Sequence, residues 1–144
     1  MISRLDNLTG HNGPLAAEPS GLNEFNGLKN SGLARLNDAA NTGLSLESRF
    51  DLAYNAAHAL CLAALRSHGY RAKHRYIVFQ VVPDTLGLGP EVWRILAKAH
   101  DTRNLGEYEG DLNVDERFVT DLVAAAQVVA IAVKELCFTE PTGS

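Results

Sequence analysis

Residues 100–108 read HDTRNLGEY, and His100, Arg103, Asn104, Glu107 and Tyr108 bring to this one stretch the side-chain types that hold phosphates and move protons. If the stretch is helical, Leu96, Ala99 and Arg103 fall on one row and lead to Gly106 and Glu107. Asn104 and Tyr108 then stand four apart on the neighbouring row. Arg103, Asn104, Glu107 and Tyr108 can converge, with His100 one turn before Arg103 on the same face. A guanidinium placed there grips a phosphate through two N–H groups, while an amide and a phenol orient what is bound. The ordinary reading of the same residues is an Arg103–Glu107 ion pair at a helix end, worth about 0.3–0.5 kcal/mol. Elsewhere there is no phosphate-binding glycine loop, nucleophile elbow or HExxH pattern. The histidines His11, His58, His68, His74 and His100 are scattered without a carboxylate or thiol cluster, so neither a metal site nor a cofactor is expected. His58 reads as a half-buried histidine bonded locally.

The elements that must position these residues are helical. Phe25, Leu28, Gly32, Leu36 and Ala40 recur at helix spacing between Gly21 and Ala40, although Gly27 and Gly32 each weaken a helix by about 1 kcal/mol relative to alanine. Ser45 is a natural N-cap for a helix running to about His68. Leu46, Phe50, Ala53, Tyr54, Ala57, Cys61, Ala64 and Leu65 form its buried stripe, and Gly69 ends it. Residues 71–82 are rich in β-branched and aromatic side chains, but a lone strand has no partner, so a short helix ending before Pro83 is predicted. Pro90 suits a first helical position, and that helix buries Val92, Ile95, Leu96 and Ala99 on its way to about Tyr108. Asn113 through Glu116 has the form of a capping box opening a last helix with Phe118, Leu122, Ala125, Val129, Ala132, Val133 and Leu136 inward. The expected fold class is all-α, an antiparallel up-and-down bundle of four to five helices without a sheet. Residues 1–20 read as a flexible arm, 21–137 as the bundle and 138–144 as a frayed tail. The alanine-rich second and last long helices are expected to pack closely on each other or on a second copy.

Length and charge bound the function. A chain of 144 residues is about one domain, and 46% hydrophobic with 21% charged residues is ordinary for a globular protein. Cys61 and Cys137 lie in apolar segments and read as buried thiols in a reducing, cytoplasmic setting. The stretch from Leu122 to Val133 is too short for the roughly 20 residues of a membrane span, so no membrane partner is expected. A net charge of −4 argues against coating nucleic acid by bulk attraction. Between Arg66 and Arg103, however, seven basic residues stand against three acidic ones. That middle can face an anion, or can be no more than solvated helix.

Three stretches together resemble the HEPN family: SRFDLAYNAAHALCLAALRSHGYR, the helix leading into RNLGEY, and the alanine-rich last helix. The resemblance implies a helical bundle that pairs through the helices carrying an Arg-x(4–6)-His motif, often beside a nucleotidyltransferase-type partner in toxin–antitoxin systems. In active members the arginine stabilises phosphate charge while the histidine assists proton transfer from the 2′-oxygen of RNA. Arg103 and Asn104 match the start of that motif. Tyr108 stands five residues after Arg103 where the histidine is expected, and no histidine follows. A phenol of ordinary pKa near 10 is a poor general base at neutral pH. The expectation is therefore a noncatalytic HEPN-like homodimer that binds a nucleotide, RNA or a protein. The alternatives are a metal-independent ribonuclease using Arg103 with Tyr108 or His100, and a structural protein-interaction bundle.

Overall fold

Ser45 accepts a hydrogen bond from the Ser48 amide and opens α3 (Leu46–Ser67), the longest element and the one on which the others pack. The computed structural model describes residues 4–109, 114–136 and 138, with side chains as far as Gly106 in the first stretch. Its elements are α1 (Arg4–Asn7), β1 (Leu15–Ala17), α2 (Leu22–Ala39), α3, β2 (Tyr70–Ala72), α4 (Arg75–Gln80), α5 (Val82–Thr85), α6 (Pro90–Glu109) and α7 (Glu116–Lys134). The fold is all-α apart from the short β1–β2 pair, and α2, α3, α6 and α7 make up the bundle.

Periodicity placed these four helices well. Gly69 ends α3 with φ of +86°, a conformation that glycine adopts without strain. The alanine stripes bring α3 and α7 into contact: Ala53, Ala56, Ala57, Ala63, Ala64 and Ala126 are fully buried. Gly32 lets α2 approach α3, because a β-carbon there would stand 2.6 Å from Leu60 Cγ and 3.2 Å from the Ala56 carbonyl oxygen. Arg49, buried at the start of α3, donates from Nε to the Ala39 carbonyl at 2.9 Å and closes the end of α2.

Several expectations need correction. The segment read as a loose arm packs onto the bundle: β1 pairs antiparallel with β2, Leu15 opposite Ala72, and Leu15 is fully buried. The sheet absent from the sequence reading is this pair. Its clamp is Arg66, whose Nε meets Glu24 at 2.8 Å and whose Nη atoms donate to the carbonyls of Glu18, Pro19 and Tyr70 at 3.0–3.2 Å. Residues 71–82 divide into β2, α4 and the start of α5, and Pro83 lies inside α5's first turn, where its missing N–H costs nothing. The last helix starts later than the Asn113 box implied, with Asp115 accepting from the Phe118 amide at 2.8 Å; Asn113 lies outside the described residues. Phe138, assigned to a frayed tail, stacks on Phe25 with ring centroids 5.1 Å apart. Cys61 is buried, and its thiol pKa is pushed up by burial; Cys137 lies outside the described residues.

Candidate functional site

A row of rings crosses the core and ends at the candidate residues. Phe118 of α7 contacts Phe50 of α3 at 5.9 Å between centroids, Phe50 stacks on Tyr54 at 6.3 Å, and Tyr54 meets Phe79 of α4 at 5.7 Å. The His100 imidazole of α6 caps the row, 5.1 Å from Tyr76, 6.1 Å from Phe79 and 6.3 Å from Tyr54. Tyr54 and Phe79 are fully buried, so the cluster rests on a rigid floor.

His100 is held at both nitrogens. Tyr54 Oη lies 3.0 Å from Nδ1 and Asn104 Nδ2 lies 3.0 Å from Nε2. An amide nitrogen only donates, so Nε2 accepts, and Nδ1 carries the proton and donates to Tyr54 Oη. An amide turned over would exchange the two roles without releasing either nitrogen. This arrangement needs a neutral ring, and burial, with Arg103, Arg75 and His74 adding to it, lowers the His100 pKa against the raising effect of Asp101.

Arg103, one turn further along α6, lays its guanidinium over the Tyr54 ring, 5.1 Å from the centroid. His58, one turn beyond Tyr54 on α3, meets Phe79 edge-on at 5.8 Å. Burial drives its pKa down to about 4, and Arg75, Arg103 and His100 push the same way in that order. Arg75 at the start of α4 and Arg103 on α6 thus both push down the pKa values of His58 and His100.

The predicted residues are partly brought together. His100, Arg103 and Asn104 share the cluster, but Arg103 turns to Tyr54 while Asn104 turns to His100. The side chains of Glu107 and Tyr108 lie outside the described residues, although α6 runs through both positions. Tyr54 was read only as part of a buried stripe, Arg75 only as one of the basic residues of the middle, and Tyr76 and Phe79 only as part of an aromatic segment; none was read as a site residue. Tyr54 has the only visible signal, a hydroxyl on an otherwise apolar stripe that must find a partner when buried. Among the described residues no group of three His, Cys, Asp or Glu is arranged to hold a metal, and no helix is long and apolar enough to cross a membrane.

Beside the cluster is a pocket of about 180 Å³ lined by His58, Leu62, Ala72, Lys73, His74, Arg75 and Val78. Two guanidiniums, one ammonium and three imidazoles therefore gather where α3, α4 and α6 meet, a suitable place to hold an anion. Comparison with known proteins gives no match: no family model, no curated protein and no solved structure is recognisably similar to the chain.

Proposed function

We propose that the chain is a HEPN-like module that binds phosphate-bearing ligands, RNA or nucleotides, on the face shared by α3, α4 and α6, without cleaving them. The observation that carries this reading is that Arg75 and His58 line one pocket beside the ring cluster over which Arg103, from another helix, lays its guanidinium. Guanidiniums on rigid elements bind phosphate through paired, charge-assisted hydrogen bonds. Support for binding over cleavage comes from His100. A general base needs a nitrogen within reach of the substrate proton, and both of its nitrogens are already bonded, to Tyr54 and Asn104.

The test is anisotropy of a labelled single-stranded RNA, with gel analysis of the same samples after long incubation. Arg103→Ala and Arg75→Ala should each weaken binding by about tenfold, the loss of one charge-assisted contact, and the RNA should stay intact. Unchanged affinity in both variants would refute the site. Cleavage lost with Arg103→Ala would replace this reading by the ribonuclease one. Pairing of two copies, implied by the family resemblance, belongs to the same proposal. Its probe is Leu105, an apolar side chain 57% exposed on α6, the helix through which the resemblance implies pairing. Sedimentation of a dimer that Leu105→Lys dissociates is expected; a monomer at all concentrations would remove pairing from the proposal.

A further inference from the structure

We infer that the pocket walled by His58, Lys73, His74 and Arg75 receives a terminal phosphate, the phosphomonoester at the end of an RNA strand whose backbone passes Arg103. This rests on the phosphate-binding reading above and narrows it to a kind of strand end.

No carboxylate lines the pocket, and among the described residues neither Lys73 nor Arg75 forms an ion pair. Nearby basic residues are handled differently: Arg66 is spent on Glu18 and Glu24, and Arg71 lies 3.6 Å from Glu18. Positive charge is thus left uncompensated at this pocket while it is neutralised one strand away.

The walls are also donors. His74 accepts from the Ile77 amide through Nδ1, which leaves Nε2 as the nitrogen that donates. His58 donates from whichever nitrogen is protonated. Leu62, Ala72 and Val78 supply apolar lining. A phosphomonoester carries about −1.5 to −2 charge at pH 7, against the single charge of a diester inside a strand, so paired cations favour the end.

Size and shape agree. At about 180 Å³ the pocket is smaller than the roughly 300–1,000 Å³ of sites that enclose drug-sized ligands. It has no phenyl, phenol or indole ring on which a base could stack. It suits a phosphate and leaves the base outside.

One oligonucleotide in three forms, with a 5′-phosphate, with a 3′-phosphate and with hydroxyls at both ends, separates the possibilities. Inorganic phosphate is added in parallel and the His58 ring is followed by NMR. One phosphorylated end should bind about tenfold tighter than the hydroxyl form, and Lys73→Gln should erase that preference. Inorganic phosphate should shift the His58 ring signals. Equal affinity for all three forms, with Arg103-dependent binding retained, overturns the terminal-phosphate site and leaves the proposed function standing. Failure of every RNA to bind, with inorganic phosphate still shifting His58, overturns the proposed function and keeps the pocket as an anion site. Silence in both measurements overturns both.

Discussion

His58 shows how one side chain reports on its surroundings. Burial, then Arg75, Arg103 and His100, hold its folded pKa down to about 4, whereas an unfolded chain takes up the proton near pH 6.5. Between those values the unfolded state binds more protons, so the stability contribution is complete above pH 6.5 and is lost as pH falls toward 4. Allowing for partial solvent screening, the loss is on the order of 2 kcal/mol. Urea titrations across that window should show a steeper acid fall for the native sequence than for His58→Gln; parallel curves would contradict the electrostatic picture. His100, Arg103 and Asn104 were legible as a local helical cluster because they lie within five residues of one another. Their partners were not. Tyr54 lies 46 positions away from His100, and periodicity marks it as core without saying what its hydroxyl meets.

At the scale of elements, α2, α3, α6 and α7 could be read from spacing, a serine cap and a terminal glycine, all of which act within a few residues. The β1–β2 pair could not be. Strands of three residues have no measurable alternation, and this one forms because Arg66 gathers the carbonyls of Glu18, Pro19 and Tyr70 into one place. The start of α7 was misplaced for a similar reason: Asn113 and Asp115 are both good caps, and the local sequence does not rank them. Gly32 illustrates an element-level constraint in the opposite direction. Alanine is the better helix former by about 1 kcal/mol, yet its methyl group would crowd Leu60 at 2.6 Å. Gly32→Ala should therefore destabilise the protein by about 1–3 kcal/mol, the usual cost of overpacking, and lower the melting temperature in calorimetry. A raised melting temperature would show that α2 and α3 are less tightly opposed than their coordinates imply.

For the whole molecule, the net charge of −4 conceals how the positive charges are used. Arg66 fastens the amino-terminal segment, Arg4 pairs with Asp84, and Lys98 sits over the Phe118 ring at 4.6 Å. Lys73 and Arg75 line one pocket, and Arg103 lies over the Tyr54 ring of the neighbouring cluster. An acidic protein can then hold RNA through a few local contacts rather than a broad basic surface, and its affinity should depend only shallowly on salt. The most direct test is the slope of log Kd against log salt concentration for single-stranded RNA, measured for the native sequence and for Arg103→Ala. Loss of one phosphate contact should make the slope shallower by about 0.7. An identical slope in the two proteins would mean that Arg103 touches no phosphate, and would contradict the account.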